Sequence, residues 1–145
     1  MAQLIFINLP VQDLERSKAF YTALGFQINP QFTNEDAACV VISDTIYVML
    51  LTRPFFQRFT HKEIADASRS TEVLNCLSAE SRAGVDTLMQ KAGEGGGRVA
   101  RPVKDEGFMY GGAFEDPDGH IWEVMWMDMS QHAEQMQPET ATDAV

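Results

Sequence analysis

The stretch FEDPDGHIWEVMWM, residues 114–127, places a tight polar turn directly before a run of alternating side chains. The tetrapeptide DPDG is typical of a turn, and the period of two that follows it predicts a strand. In that strand Ile121, Glu123 and Met125 face one way, and the two tryptophans face the other. Because both faces are largely apolar, a central carboxylate there requires an ion-pair partner, hydrogen bonds, a metal or a wet cavity. Glu123 is therefore the first candidate for a functional residue.

The same order of elements, β-α-β-β-β, occurs twice along the chain. The first predicted helix follows the N-cap residue Asp13 and ends before Gly25, and the second follows Ser81 and ends at Gly93. The predicted strands of the first half are residues 4–9, 26–32, 38–42 and 46–52. Those of the second half are residues 72–78, 98–103, 109–114 and 121–127.

This repetition predicts an α+β fold of two tandem βαβββ modules within a single domain, residues 1–128. The modules span about residues 3–52 and 71–127, and a polar linker, residues 53–70, joins them. In the linker, Thr60 and Glu63 have the spacing of a capping box, which predicts a short helix that starts there. A lid over a pocket is the alternative role for this linker. The acidic tail, 129–145, lacks periodicity and is predicted to be disordered.

Charge limits the possible partners. The chain has 145 residues, and 21 acidic against 11 basic side chains give a net charge of −10. An acidic surface repels nucleic acid phosphates and anionic membranes, so we expect neither as a partner. No signal peptide is predicted, and no apolar run approaches the ~20 residues that a membrane span needs. The sequence therefore indicates a soluble cytoplasmic protein.

The cysteines, the histidines and the glycine-rich run give little indication of a functional site. Cys39 and Cys76 form no CxxC pair and lie in apolar, strand-like runs, so we expect buried, reduced thiols. The histidines, His61, His120 and His132, lack metal-ligand spacing, and His120 is expected to make hydrogen bonds near the DPDG turn. The glycine-rich run GEGGG follows a predicted helix, whereas a phosphate loop precedes one, so it is read as a turn.

Two motifs carry a resemblance to a known family. VQDLERS followed by FYTALGF, within residues 11–26, and the closing DPDGHIWE, residues 116–123, resemble the vicinal oxygen chelate superfamily. This superfamily includes glyoxalase I, extradiol dioxygenases, and fosfomycin- and bleomycin-resistance proteins. More narrowly, residues 5–10, 37–52 and 107–128 resemble a bacterial subgroup labelled predicted lactoylglutathione lyase. The resemblance covers about residues 3–127. It implies two modules whose curved sheets surround a cavity, commonly assembled as a homodimer.

The resemblance also implies where a metal would be held. In metal-using members, the first and last strands of each module supply ligands to a divalent ion that binds two substrate oxygens. The corresponding positions here fall at Phe6, at about Leu50, within residues 72–74, where no histidine occurs, and at Glu123. Phe6 and Leu50 cannot bind a metal. With three of four ligand positions lost, we expect no metal cofactor, and a divalent ion held at Glu123 is the weaker alternative.

Our first functional hypothesis is therefore metal-independent binding of a small molecule, as in resistance-type binding proteins. Phe6, Leu50 and Met125 would line an apolar cavity, and Glu123 would be its polar anchor. Phe108 and Tyr110, beside glycines that permit bending, would form the mouth of this cavity.

The alternative hypothesis is an enzyme, a glyoxalase-like lyase or isomerase. Glu123, with Glu72 as a second carboxylate, would act as the general base, or Glu123 would be the sole remaining metal ligand. This chemistry also needs a group that stabilises an enolate, and the sequence shows no evident cation for it. The identity of the ligand does not follow from the sequence.

Overall fold

The computed structural model describes residues 2–130. It contains eight strands: β1 (Ile5–Val11), β2 (Gln27–Asn29), β3 (Ala37–Val41), β4 (Ile46–Thr52), β5 (Asn75–Ser78), β6 (Arg98–Asp105), β7 (Met109–Glu115) and β8 (Ile121–Met127). The α-helices of this part of the chain are α1 (Leu14–Ala23), α2 (Arg53–Phe56) and α3 (Arg82–Glu94). Apart from its first two residues, the predicted tail lies outside the described residues.

Each module forms its own mixed sheet. The strand order is β1-β4-β3-β2 in the first sheet and β5-β8-β7-β6 in the second. In both, the first and last strands of the module pair in parallel and the remaining pairs are antiparallel. The predicted α+β fold of two βαβββ modules is therefore confirmed. No helix within residues 2–130 is long and apolar enough to cross a membrane.

Helix caps set the ends of the two long helices. The Asp13 side chain accepts a hydrogen bond from the Arg16 backbone N–H, and Ser81 accepts one from the N–H of Gly84. Gly25 has a φ of 106°, a conformation that favours glycine and turns the chain from α1 toward β2. These local rules explain why both helices begin where the sequence predicted.

One predicted helix was wrong, and two predicted strands are shorter than expected. The strand predicted at residues 26–32 ends at Asn29. Pro30 lacks the backbone N–H that strand pairing needs, and a short 3₁₀ helix begins there instead. No helix starts at Thr60; its side chain instead accepts a hydrogen bond from the Lys62 N–H in a local turn. The linker helix forms earlier, as α2, where Pro54 occupies the first turn. The strand predicted from residue 72 begins at Asn75.

One face of each sheet is covered by a helix. Helix α1 contacts β3 and β4, and α3 contacts β6, β7 and β8. The side chains of these covered faces join in one core, made of Leu9, Val11, Leu14, Phe20, Tyr21, Leu24, Ala38, Val40, Val48, Leu50, Ala92, Phe114 and Trp122. We call the opposite face of each sheet its outer face. By the period of two, Phe6 and Tyr47 lie on the outer face of the first sheet, and Glu123 and Met125 on that of the second.

Hydrogen bonds join the two modules. They connect helix α1 with the DPDG turn and with Trp122, and we call this set of contacts the module seam. The Tyr21 hydroxyl donates to Asp116 Oδ2 at 2.7 Å, and the Trp122 indole N–H donates to Tyr21 Oη at 3.0 Å. The Ser17 hydroxyl donates to Asp118 Oδ2 at 3.2 Å. The motifs that carry the family resemblance therefore hold the two modules together.

Burial shifts the pKa values of two residues in the module seam. Desolvation, followed by the charge of Asp116, raises the pKa of Tyr21 well above its ordinary value. Desolvation also raises the pKa of Asp116, an effect that the neighbouring His120 opposes. The His120 ring N–H at Nε2 donates to the carbonyl of Pro10 at 2.7 Å. His120 thus makes hydrogen bonds at the turn, as predicted.

Candidate functional site

Glu123 lies on the outer face of the second sheet and is paired with an arginine. Arg101 Nη1 lies 3.0 Å from Glu123 Oε2, and the side chains are 50% and 19% exposed, respectively. The sheet brings them together because Arg101 on β6 and Glu123 on β8 both pair with Ala113 on β7. The ion pair therefore spans three strands on one face.

A groove of about 470 Å³ adjoins this ion pair. It is lined by Arg101, Pro102, Val103, Lys104, Glu106, Met109, Gly111 and Met125. A side chain at Gly111 would bring its Cβ to 2.6 Å from the Val124 carbonyl, so only glycine fits there. The register of β6 shifts on both sides of Arg101, and the three residues that follow it, 102–104, all line the groove. The groove thus combines methionine side chains with a half-exposed guanidinium.

Cys76 belongs to the same outer face. It pairs with Glu123 in the β5–β8 register and is exposed, so the prediction that it is buried was wrong, whereas Cys39 is buried as predicted. The sequence did not show that β5 is an edge strand of its sheet. Desolvation and the Glu123 charge raise the pKa of the Cys76 thiol, partly opposed by Arg101. A thiol with a raised pKa is a poor nucleophile at neutral pH.

The structure does not bring the other predicted pocket residues to Glu123. Phe6 lies on the outer face of the first sheet, where it stacks on Tyr47 with ring centroids 5.0 Å apart. Leu50 is completely buried on the helix-covered face, so it shares no surface with Phe6. Its neighbour Met49 takes the outer position, because a shift of one residue along a strand reverses the face. Met125 alone joins the glutamate and lines the adjoining groove.

The predicted mouth residues also separate. Tyr110 points to the helix-covered side, where its hydroxyl donates to Asp86 Oδ1 on α3 at 2.6 Å. The Arg82 guanidinium lies 5.8 Å from the centre of the Tyr110 ring and 4.5 Å from that of Trp126. Phe108 is 38% exposed in the turn between β6 and β7. Tyr110 therefore packs α3 onto its sheet.

Glu72 lines a different and larger cavity, which we call the inter-module cleft. Its volume is about 560 Å³. The lining residues are Asn8, Leu9, Pro10, Leu51, Phe56, Phe59, Thr60, Lys62, Glu63, Ile64, Ala65, Ala67, Ser70, Thr71, Glu72, Val73, Asn75, His120 and Ile121. The cleft therefore lies between β1, the linker and the start of β8, and Glu123 is not part of its wall.

The residues at the family's metal positions do not fit a divalent ion. Phe6 offers no donor, the β4 position is Met49 or Leu50, and Glu123 is already engaged by Arg101. Within residues 2–130, no group of three or more His, Cys, Asp or Glu side chains is placed to hold a metal. We therefore assign no metal-dependent role to these positions.

Comparisons with known proteins agree with this fold. Residues 3–43 match the family described as bleomycin resistance protein-like N-terminal. The hypothetical protein SA1046 of S. aureus is 34% identical, with 87% of this chain and 95% of that chain covered and a TM-score of 0.73. A glyoxalase-related enzyme from Fulvimarina pelagi is 25% identical, with 87% and 88% covered and a TM-score of 0.73.

The fosfomycin resistance protein FosX of Mesorhizobium loti shares the fold at 16% identity, with 92% and 98% covered and a TM-score of 0.67. No curated protein sequence matches the chain. The chain belongs to the vicinal oxygen chelate superfamily, the glyoxalase, bleomycin-resistance and dioxygenase group.

Arg101 is the residue that sequence reasoning missed. It is one of four charged residues in β6, and nothing in its neighbours marks it. Its relation to Glu123 depends on the β6–β7–β8 register, including two irregularities in β6. The sequence did indicate that a carboxylate in an apolar strand needs a partner, and a search for cations on the hairpin that precedes β8 would have found this arginine.

Proposed function

We propose that this protein binds a small organic anion on the outer face of the second sheet, without a metal ion. The observation that carries the proposal is the Arg101–Glu123 ion pair beside the methionine-lined groove. Pockets for small molecules are mostly apolar with a few placed polar groups, and this groove has that composition.

The geometry of Arg101 favours an acidic ligand. It donates a single hydrogen bond to Glu123, through Nη1, and half of its side chain is exposed. A guanidinium has five N–H donors in a planar fork, which suits bidentate contact with a carboxylate or phosphonate. Glu123 holds this fork in place, and Met125 and Met109 supply apolar contacts for the rest of the ligand.

A second candidate function is a glyoxalase-type lyase with Glu123 as general base. Arg101 favours it, because a cation beside the base would stabilise the charge of an enolate. However, proton transfer to Glu123 would break its ion pair, a cost that simple binding does not incur. Loss of methylglyoxal–glutathione turnover in Glu123→Gln would support the lyase, and unchanged turnover would remove Glu123 from it.

We test the binding proposal with benzoate and phenylphosphonate, and with benzamide as a neutral analogue, in buffer that contains a chelator. Calorimetric titration should show anion binding that Arg101→Leu weakens by at least about tenfold. Arg98→Leu, an exposed arginine of the same strand outside the groove, should leave the affinity unchanged. Equal affinity for benzamide, or binding only after a divalent metal is added, would contradict the proposal.

We also propose a homodimer. Leu4, Ile5 and Phe6, at the start of edge strand β1, are 47%, 52% and 50% exposed. An exposed apolar edge strand favours association with another chain. Sedimentation equilibrium should show a dimer that Phe6→Ser weakens, whereas Val99→Ser, which alters another exposed apolar residue, should not.

A further inference from the structure

We propose that the inter-module cleft is a second binding site, specific for a small amphipathic cation with an apolar body and a primary amine. This site is separate from the groove beside Arg101, and the two should select ligands of opposite charge. The argument rests on the size of the cleft, its apolar wall and its unpaired charges.

The size and wall of the cleft suit an organic ligand. Its volume of about 560 Å³ falls within the range of small-molecule pockets. Much of the wall is apolar, through Phe56, Phe59, Ile64 and Ile121. Phe59 is 69% exposed, so an apolar ligand would remove a large aromatic surface from water.

Tight backbone packing holds the linker against the DPDG turn beside the cleft. A Cβ at Gly119 would lie 2.6 Å from the carbonyl oxygen of Ala67, and the φ of this glycine is 98°. The linker can therefore approach the DPDG turn this closely only because residue 119 is glycine. His120, in the same wall, is held by its hydrogen bond to the Pro10 carbonyl. Two parts of the cleft wall, Ala67 of the linker and His120, are thus held in fixed positions.

The charges of the cleft select a cation. Its wall contains Glu63, Glu72 and Lys62, and in the described part of the chain none of these three forms an ion pair. This differs from Glu123, whose charge is already balanced by Arg101. Two unpaired carboxylates against one ammonium give the cleft a net negative charge, and the aromatic wall adds a cation–π surface.

The test uses three probes of one shape: 4-phenylbutylamine, 4-phenylbutanol and 4-phenylbutanoate. Two-dimensional NMR of the ¹⁵N-labelled full chain would follow each titration at neutral pH. We expect shifts in residues 60–73 and an affinity for the amine about three- to tenfold above that for the alcohol, with the acid weakest.

Variants separate the charge from the apolar wall. Glu63→Gln with Glu72→Gln should reduce the affinity for the amine to that for the alcohol. Glu35→Gln with Glu80→Gln, two exposed glutamates outside the cleft, should leave the preference unchanged. Phe59→Ser should weaken the amine and the alcohol alike, by about fivefold.

Equal binding of amine and alcohol, a preference that survives the Glu63 and Glu72 substitutions, or shifts confined to the groove beside Arg101 would each overturn this inference. Benzoate binding at Arg101 is measured separately, so failure in the cleft and failure of the proposed function are distinguishable.

Discussion

Two carboxylates of the same short stretch, Asp116 and Glu123, have opposite surroundings. Asp116 is 2% exposed and accepts hydrogen bonds from the Tyr21 hydroxyl and from the backbone N–H groups of Asp118 and His120. The Glu123 side chain is 19% exposed and pairs with Arg101 beside an open groove.

This difference separates a carboxylate that maintains the fold from one to which we assign a proposed role in binding. The lone pairs of Asp116 are directed at groups of the protein itself, so this residue joins the modules and has little capacity for a ligand. Glu123 holds a guanidinium whose side chain is half exposed. Within one family motif, therefore, the turn maintains the fold, and we propose that the strand after it supplies the binding chemistry.

The largest expected effect is on stability, at Asp116. Asp116→Ala leaves a buried hydroxyl and two backbone N–H groups without their acceptor, and should lower the free energy of unfolding by about 3 kcal/mol or more. Glu123→Gln, the matched change on the open face, should lower it by less than about 1 kcal/mol. Urea unfolding measures both. Similar losses in the two variants would break the comparison.

Tyr21→Phe should have an intermediate effect. It removes the hydroxyl that accepts from Trp122 and donates to Asp116, which should cost about 1–2 kcal/mol. Tyr47→Phe is the control, because the Tyr47 hydroxyl only contacts the Asp44 carbonyl at the surface. Thermal and urea unfolding should show a loss below about 0.5 kcal/mol for the control. Equal losses of stability in Tyr21→Phe and Tyr47→Phe would contradict the stabilising role that we assign to the module seam.

The raised pKa of Asp116 should also be visible in the pH dependence of the free energy of unfolding. Burial raises its pKa above 3.8, so between 3.8 and the raised value the folded state binds more protons than the unfolded state. The contribution of Asp116 to stability is therefore full below pH 3.8 and decreases as the pH rises through the folded pKa. Relative to Asp116→Asn, which does not titrate, the unaltered protein should lose stability across this window.

Carbon-13 NMR of the Asp116 carboxyl provides the direct check. A titration midpoint at or below 3.8 would contradict the burial argument, whatever the unfolding curves show.

The smallest expected effect is on the reactivity of Cys76. Because the Glu123 charge raises the pKa of this thiol and Arg101 lowers it, Glu123→Gln should speed alkylation by iodoacetamide about two- to threefold, and Arg101→Leu should slow it. Mass spectrometry of the labelled peptides distinguishes Cys76 from the buried Cys39. Unchanged alkylation rates in both variants would show that the charges of Glu123 and Arg101 do not affect the Cys76 thiol.

The sequence predicted those parts of the fold that depend on local rules. The strands Ile46–Thr52 and Ile121–Met127 have the predicted bounds, because alternation and turn residues define them. The capped starts of α1 and α3 follow from Asp13 and Ser81 in the same way. The repeated order of these elements predicted the two modules, and the family motifs pointed to the same scaffold.

The candidate site was harder to predict, because it depends on contacts between distant strands. Arg101 meets Glu123 only through the register of three strands, and the exposure of Cys76 follows from the edge position of β5. An error of one residue placed Leu50 on the outer face, although it is buried in the core. The sequence predicts Glu72 as a second carboxylate beside Glu123, but Glu72 lines the inter-module cleft instead.

The central claim is that the outer face of the second sheet binds an organic anion through Arg101 without a metal. Titration of the ¹⁵N-labelled protein with benzoate in the presence of a chelator tests this claim most directly. We predict saturable shifts in residues 101–125 around the groove, absent in Arg101→Leu and retained in Arg98→Leu. Shifts that persist without Arg101, or that occur only when zinc or nickel is added, would contradict it.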